Sequence, residues 1–528
     1  MVDILKDVSF VKLTSESVTV REALLHAHKD GVALDKKIPG YQYAAFLRLL
    51  TTVLAVTLRH CGVDNPKKTP QVSEKLLELG VPEEALDKAL DELAAGSDLF
   101  DGNMPFMQRP PVAPTSAKDS ARALGPGQQP VKKLSPAMPS DAGEDFWNLI
   151  VAQPQSISLE QAATDILVYH HYSMAGNNTY DGDKCAMGAP GIRYLGKGNA
   201  ATEIFWQGEN LLATLLMAIP KSWVFSKELP AWADREGITK AKTPSAEPSL
   251  WDATWSSNTV ATYWEDKNLA GVRVGGIPEK WYVPEMGPAS DKQARKNWWD
   301  TRNTLDPFYL YMPNQSGELK AQRLDFGRDA TDLAVEWAAE SKVEAASKQL
   351  EQRFYDGDGD ETLCFIRHQI EGTASSPSIR ASSVYQPDST QWVFDANEEL
   401  QEAIQTHAKT IQELHNIVRA PFRRMTEGDK KRRDTGKGVV AFDDLEHRRK
   451  DASAYFWREI GPVYEEFVIS VKEGEKKIPR EVLEKAQAAA LRAYDKTIAP
   501  HISQHPERAV YVRGILDRRL HFALFSQS

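Results

Sequence analysis

The feature that most constrains the fold is a change in hydrophobic pattern near Ala396. From there onward, apolar residues recur at helical spacing in successive stripes. The stripes run through Leu400, Ile404, Ala408, Ile411 and Leu414; Tyr455, Phe456 and Phe467; Val482, Ala486, Leu491 and Tyr494; and Val512, Ile515, Leu516 and Leu520. Each such helix must bury its apolar side against another, so residues 391–528 are predicted to form an antiparallel four-helix bundle.

Residues 1–390 follow no single period and mix helical and strand patterns. The clearest predicted elements are helices starting at the capping boxes Thr19–Glu22 and Ser158–Gln161, a buried helix over Tyr43–Leu58, and a strand over Thr202–Gln207. A stretch rich in Pro, Gly and Ser at 104–143 predicts a working surface loop. The fold class is therefore α+β, with a large mixed α/β N-terminal domain (1–390) before the C-terminal four-helix bundle (391–528).

Composition narrows the class of protein. A chain with 41% hydrophobic and 26% charged residues is typical of globular proteins. Its net charge of −10 excludes a uniformly basic coat but leaves room for local phosphate-binding patches. The first residues lack a secretory pattern, which predicts a cytoplasmic protein. Cys61, Cys185 and Cys364 lie far apart in sequence, so neither a disulfide framework nor a metal site is predicted, and no cofactor is expected.

No enzymatic centre is predicted. Gly191–Lys197 fits the start of a phosphate-binding P-loop, but Gly198 stands where a magnesium-binding Ser or Thr is required. Strand-like residues follow it where a helix should begin. A noncatalytic role is the interpretation we adopt. Two alternatives stay open: a nuclease whose carboxylates come from distant segments, and a purely structural scaffold.

Two polar segments suit nucleic-acid contact. The run containing Gly176, Asn177, Asn178 and Lys184 combines a glycine, whose backbone can approach closely, with hydrogen-bond donors. This combination fits a minor groove only ~6 Å wide. An ordinary connecting loop has the same composition. The basic stretch at 419–450 includes Arg432 and Arg433, which either contact phosphates or simply face solvent between helices.

Several stretches taken together resemble the CasA family, the large subunit of the type I-E CRISPR surveillance complex Cascade. They occur in family order over nearly the whole chain. They are Val18–Leu24, Met104–Gln108, Leu134–Pro136 with Pro139 and Ser140, Ala162–Tyr169, Gly188–Gly191, Gly208–Leu216, Ile370–Pro377, Phe456 with Trp457, and Ala493–Asp495.

The resemblance implies a noncatalytic subunit that recognises the protospacer-adjacent motif in double-stranded DNA and promotes duplex opening and R-loop formation. Its implied partners are the other Cascade subunits, the CRISPR RNA and a helicase–nuclease recruited after target binding; no membrane partner is expected. Sequence specificity would come mainly from guide pairing.

The resemblance also implies site residues. The family's glycine loop falls within Gly176–Lys184, and the first loop beside the motif falls within Lys132–Gly143, including Lys133. A lysine probing the minor groove corresponds to Lys292 or Lys296, with Arg295 a substitute. The strand-separating wedge corresponds to Thr373, Ala374, Ser375, Ser376 and Pro377.

This chain departs from the family pattern in three places. A tryptophan-containing strand motif is replaced around Phe10–Leu13, and the cysteine zinc cluster of some members is absent. The glycine loop reads Gly176-Asn177-Asn178 instead of consecutive glycines. The sequence therefore does not predict which adjacent motif is read.

Overall fold

The computed structural model divides into two compact units. The first comprises Met1–Asp325 with Gln349–Gln386, and the second comprises Phe326–Lys348 with Pro387–Ser528. The structure describes residues 2–101, 103–108, 129–137, 156–173, 179–180, 183–184, 200–242, 246–277, 285, 291–314, 316–340, 352–357, 361–373, 376–387, 392, 398–435, 440–442, 444–475 and 478–525.

The first unit mixes helices with small antiparallel sheets. Its helices are α1 Val20–Leu25, α2 Gly40–Leu58, α3 Thr69–Leu79, α4 Glu83–Glu92, α5 Leu159–Tyr172, α6 Leu211–Ala218, α7 Lys221–Phe225, α8 Leu250–Thr254 and α9 Lys292–Thr304. Its strands are β1 Val11–Lys12, β2 Ser17–Val18, β3 Thr179–Tyr180, β4 Asp183–Lys184, β5 Ala200–Gln207, β6 Asn258–Glu265, β7 Asn268–Gly276, β8 Tyr311–Pro313, β9 Leu319–Ala321, β10 Thr362–Thr373 and β11 Ser376–Tyr385.

The largest described sheet has the order β11-β10-β5, and each pair is antiparallel. β10 pairs with β5 only from Thr362 to Gln369, where Gln369 lies opposite Ala200. Beyond that point β10 pairs only with β11 among the described residues, and the register between these two strands shifts between Gln369 and Ile370. In the part of the chain that the structure describes, the β10–β11 hairpin therefore continues past Ala200 as a two-stranded arm, here defined as residues 370–379.

Helix α2 is the central element of the first unit. It is long and apolar enough to cross a membrane, but 89% of that stretch is buried inside the protein. It packs against α4, α5, α6, β10 and β11. The sequence predicted a buried helix from Tyr43; the helix starts three residues earlier, at Gly40, after Pro39. Pro39 has φ −53, a value compatible with the start of a helix.

The second unit is dominated by long helices. These are α10 Ala330–Ala339, α11 Glu398–Arg419, α12 Glu427–Asp434, α13 Arg449–Lys472, α14 Arg480–Ile498 and α15 Pro506–Phe525. Contacts run in opposite directions along neighbouring helices: His407 stacks on Phe467, whereas His415, two turns later in α11, stacks on Phe456. The same crossing order relates α13 to α14, because Lys485 meets Glu466 while Arg492 meets Glu459.

The predicted antiparallel four-helix bundle is thus confirmed in α11, α13, α14 and α15, and with it the α+β fold class. Residues 326–348 add α10, which packs on α11 and α13. The sequence had assigned this segment to the N-terminal region. That 1–390 and 391–528 fold as independent domains stays a prediction.

Local signals in the sequence agree with several helix starts. Thr19 and Glu22 form the reciprocal capping box of α1. Ser158 accepts the Gln161 N–H at the start of α5, but the Gln161 side chain donates to Asp165 at 2.8 Å instead of returning to the cap. The second box is therefore only half formed.

We predict that Gly40→Ala destabilises the first unit. A Cβ at this position would lie 2.7 Å from Ser382 Oγ and 2.9 Å from the Ser383 backbone nitrogen, so the first turn of α2 must move away from β11. Overpacking of this kind costs about 1–3 kcal/mol of unfolding free energy. Urea denaturation of the purified chain measures it. Gly514→Ala, where nothing lies within 4 Å, is the matched control and should not destabilise.

Candidate nucleic-acid interface

The predicted wedge lies at the tip of the β10–β11 arm. Pairing between the strands ends with Thr373 opposite Ser376. Ala374 and Ser375, between them, lie outside the described residues. Pro377 is buried at the start of β11, where its ring removes a ladder donor, as expected at a strand end. The wedge segment is thus presented by a β-hairpin, an element that the sequence did not predict.

Segment 129–137 braces this arm. Gln129 pairs with Val272 of β7 through two backbone hydrogen bonds of 3.0 and 2.9 Å, and its side chain accepts the Val274 N–H. At the other end, the Pro136 carbonyl accepts the Ile379 N–H at 2.8 Å. The segment therefore connects β7 directly to β11.

Lys132 and Lys133 lie within this brace. The sequence predicted irregular structure here, but Val131–Leu134 forms a 3-10 helix. Val131 and Leu134 are both buried, because residues three apart share one side of a 3-10 helix. The two lysines are half-buried. Lys133 is three residues from Pro136, so its backbone lies within about 11 Å of the contact with β11.

A buried ion-pair network lies behind the root of the arm. Arg48, in the middle of α2, donates from Nε and Nη2 to Glu203 Oε1 of β5 at 2.8 and 2.6 Å. Its Nη1 donates to both carboxylate oxygens of Asp306 at 3.1 and 2.9 Å. The side chains are 9%, 1% and 3% exposed, respectively. An unpaired charge at this depth would be strongly destabilising, so each partner requires the others.

The network continues into β10 and β11. Glu203 Oε2 accepts from Tyr172 OH at 2.6 Å and lies 3.1 Å from His368 Nε2. His368 Nδ1 lies 2.9 Å from Ser382 Oγ. The same Ser382 oxygen accepts the Tyr41 N–H at 2.8 Å. Because an ionised carboxylate only accepts, His368 Nε2 carries the hydrogen that it donates to Glu203. The hydrogen bonds thus run from α2 through β5 and β10 to β11 and back to α2.

Electrostatics explain why Glu203 stays ionised. Burial raises the pKa of its carboxyl, but the Arg48 charge and the hydrogen bonds from His368 and Tyr172 outweigh burial and lower the pKa to about 2. The Tyr172 phenol moves the other way: burial and the Glu203 charge raise its pKa well above its ordinary value. A charged Glu203 beside a neutral Tyr172 is therefore the stable pair at neutral pH.

The predicted glycine loop is only partly described. Gly176, Asn177 and Asn178 lie outside the described residues. Lys184 belongs to β4, where its backbone pairs with Thr179 of β3. Nothing described brings this hairpin to the arm, and the role of these residues stays a prediction.

The α9 lysines lie in the exposed first half of their helix. Lys292 and Lys296 are exposed, and Lys296 forms a 3.7 Å ion pair with Asp300 that is itself exposed and therefore weak. In the second half, Trp299 is buried, and Arg302 donates to the carbonyls of the α8 turn at 2.8–3.3 Å. The helix is thus anchored at its C-terminal half, and both lysines face solvent.

The basic segment belongs to the second unit. Arg432 is exposed on α12, and Arg433 lies on the same helix with a side chain outside the described set. Nearby, Arg423 grips Asp429 through two hydrogen bonds, and that contact lowers the pKa of the Asp429 carboxyl. Arg432 has no such pairing among the described residues, as a phosphate-contacting side chain would require.

Sequence reasoning missed the Arg48 network. It predicted the buried helix over Tyr43–Leu58 without identifying a partner for Arg48 inside it. The available signal was a lone arginine inside a helix that is apolar all round, since a buried charge needs partners of opposite sign.

In the part of the chain that the structure describes, no group of three or more His, Cys, Asp or Glu side chains is placed to hold a metal ion.

Comparisons with known proteins agree with this architecture. Residues 8–499 match the family model described as CRISPR-associated protein Cse1. Among solved structures, Thermobifida fusca Cse1 is similar with 13% identity, a TM-score of 0.64, and coverage of 99% of this chain and 98% of that one. Thermus thermophilus CasA (Cse1) is 17% identical, with a TM-score of 0.61 and 99% coverage of both chains. A chain of a CRISPR RNA-guided surveillance complex is 16% identical, with a TM-score of 0.63 and coverage of 96% and 95%. No curated protein sequence matches.

We predict that Glu203→Gln lowers the unfolding free energy by about 3–5 kcal/mol at pH 7, because Arg48 loses a buried charged partner. The folded-state pKa of about 2 lies below the ordinary 4.5, so this stabilisation is present above pH 4.5 and is lost as the pH falls toward 2. The stability difference between wild type and variant should therefore narrow over that window.

Urea denaturation at pH 7 and pH 2.5 makes the comparison. Glu78→Gln, at an exposed position on α3, is the control and should leave stability unchanged at both values. A wild-type–variant difference that stays constant with pH would contradict the assignment of an ionised Glu203.

Proposed function

This chain belongs to the Cse1 (CasA) family and is a large subunit of the type I-E Cascade complex, and we propose that it recognises the adjacent motif in duplex DNA and opens the duplex there. The observation that carries the proposal is the braced arm, because it presents the wedge segment at the end of a hairpin. R-loop formation by the guide RNA would follow from this opening. No reaction at a catalytic centre is part of the proposal.

A braced hairpin suits strand separation for an energetic reason. Opening one base-pair step opposes stacking of ~1.4 kcal/mol on average, which is comparable to one or two hydrogen bonds. A protein can supply that without nucleotide hydrolysis if its wedge holds its shape under load. The contact between Pro136 and Ile379, on the arm itself, supports the arm against bending.

Phosphate contacts would hold the duplex against the wedge. Lys132 and Lys133 lie in the segment that contacts the base of the arm through Pro136 and Ile379, so two cations lie on the segment that braces the arm. Lys292 and Lys296 offer further charge on α9, and Lys184 and Arg432 on other elements. Motif readout would fall to the glycine loop at 176–178. Each lysine contacting a phosphate contributes to affinity through counterion release.

The proposed partners follow from family membership. The chain would assemble with other Cascade subunits and CRISPR RNA, as a similar chain does in a structure described as a CRISPR RNA-guided surveillance complex. Recruitment of a helicase–nuclease after target binding, and a cytoplasmic location, complete the proposal.

The decisive experiment shortens the arm. Replacing residues 372–377 with Asn-Gly leaves Glu371 and Ser378, a natural cross-strand pair, flanking a two-residue turn. Removal of two pairs keeps the alternation of the ladder and withdraws the tip by about 7 Å. Guide-loaded complexes should then open intact target duplex at least 10-fold more slowly, measured by permanganate reactivity of thymines beside the motif.

A second variant keeps the arm at full length: Asn-Gly replaces only Ala374 and Ser375. It should open duplex faster than the shortened arm, because the tip keeps its reach, and any remaining deficit relative to wild type measures the contribution of the two replaced side chains. A target with a pre-formed bubble should be bound equally by both variants. If the shortened arm opens duplex at the normal rate, or if a complex lacking this chain selects and opens its targets equally well, the proposal is wrong.

The brace lysines give an independent prediction. Changing Lys132 and Lys133 together to Ala should reduce the slope of log affinity against log salt by up to about 2, since each phosphate contact contributes about 0.9. Lys67 and Lys68, two lysines on the 3-10 helix Pro66–Lys68 of the same unit, provide the matched control. Filter binding of the guide-loaded complex at 50–200 mM salt measures both slopes. Equal slopes would assign the brace lysines to solvent.

A further inference from the structure

The buried network has a position that matters for the arm. His368 and Ser382 are register partners in β10 and β11, one pair before Gln369, where the described pairing with β5 ends and the β10–β11 ladder shifts register. From the geometry we infer that the chain of contacts Arg48–Glu203–His368–Ser382 sets the direction in which the arm leaves the sheet. These are positioning residues for duplex opening, and the inference rests on the proposed function of the wedge.

The arm has two strands among the described residues, so its own pairing holds it only weakly. An isolated hairpin is marginally stable in water and twists more than a strand pair inside a larger sheet. The register shift at Gln369 and Ile370 adds a local bend at the root. Thr373 lies five residues beyond His368, or about 17 Å along the strand. A small rotation at the root therefore becomes a displacement of several ångströms at the tip.

Each root strand is held by a different contact. On β10, the His368 ring lies between Glu203 Oε2 and Ser382 Oγ at 3.1 and 2.9 Å. On β11, Ser382 Oγ accepts the Tyr41 N–H from the first turn of α2 at 2.8 Å. Glu203 is in turn fixed by Arg48 of the same helix. Both strands are thus held against α2, the long buried helix of the unit.

The close approach of Gly40 to β11 adds a steric constraint on the root of the arm. Its missing side chain lets the α2 backbone approach Ser382 and Ser383 more closely than any other residue would allow. Rotation of the β11 root toward α2 is therefore blocked by backbone contact, and rotation away breaks the Ser382 hydrogen bonds. The arm has one orientation in which both conditions are met.

The chain supplies a matched pair of serines to test this. Ser382→Ala removes the hydroxyl that links His368 to α2. Ser383→Ala removes the neighbouring hydroxyl on the same strand, which has no hydrogen-bond partner among the described residues. Both substitutions delete one oxygen, so they differ only in the link that is broken.

In guide-loaded complexes, Ser382→Ala should slow opening of an intact duplex about 5- to 10-fold, the range expected for one lost buried hydrogen bond of 1–1.5 kcal/mol. Binding to a pre-opened bubble target should match wild type, and Ser383→Ala should match wild type on both DNAs. Amide hydrogen exchange within the arm should be faster in Ser382→Ala by a similar factor. Tyr172→Phe, which removes a donor to Glu203, should produce the same pattern.

The outcomes separate the two proposals. If shortening the arm abolishes opening while Ser382→Ala opens duplex normally, the positioning role is overturned and the proposed function stands. If Ser382→Ala weakens duplex and bubble targets equally, the serine supports stability only and the positioning role is again overturned. If the shortened arm opens duplex normally, both are overturned.

Discussion

The first unit is organised by the need to neutralise one guanidinium. Arg48 lies in the middle of an otherwise apolar helix, and its charge is matched by carboxylates from a strand, Glu203, and from a later loop, Asp306. These partners are more than 150 positions away in sequence. Desolvating the three groups is costly, so the network adds little net stability but excludes packings in which any member is unpaired. The physical contribution of the network is therefore to favour one arrangement of these elements over others.

The same network also reaches the root of the β10–β11 arm. In the sheet that carries Glu203 and His368, the described pairing with β5 ends at Gln369, and among the described residues the β10–β11 arm continues as two strands. The brace 129–137 meets the arm from β7 through the Pro136 carbonyl. A hairpin that would be soft by itself is thus held at its root by the buried network and at its first residue pair, through Ile379, by a separate segment. A hairpin held in this way is expected to keep one orientation relative to the core of the first unit.

The sequence predicted those parts of the fold that depend on local patterns. The stripes through Ile404, Phe456, Ala486 and Leu516 predicted the bundle correctly, because residues on the buried face of a helix recur at helical spacing in the sequence. The arm was not predicted, because its residues pair through register with one another and its root is determined by contacts far away in sequence. Family resemblance assigned the wedge to residues 373–377 without indicating that two paired strands flank it, and its role stays a prediction. Arg48 was visible as an anomaly, yet only the tertiary structure identifies its partners.

The path of the chain between the two compact units has a consequence during synthesis. Residues 326–348 belong to the second unit, but they are synthesised before residues 349–386, which include the β10–β11 arm and complete the first unit. Helix α10 packs on α11, and the rings of Trp337 and Trp392 meet edge to face at 4.9 Å. A ribosome that has released only the first 390 residues has therefore exposed α10 and its tryptophan without the helix that covers them. Fragments cut at that boundary would carry an uncovered apolar surface, which favours aggregation over independent folding.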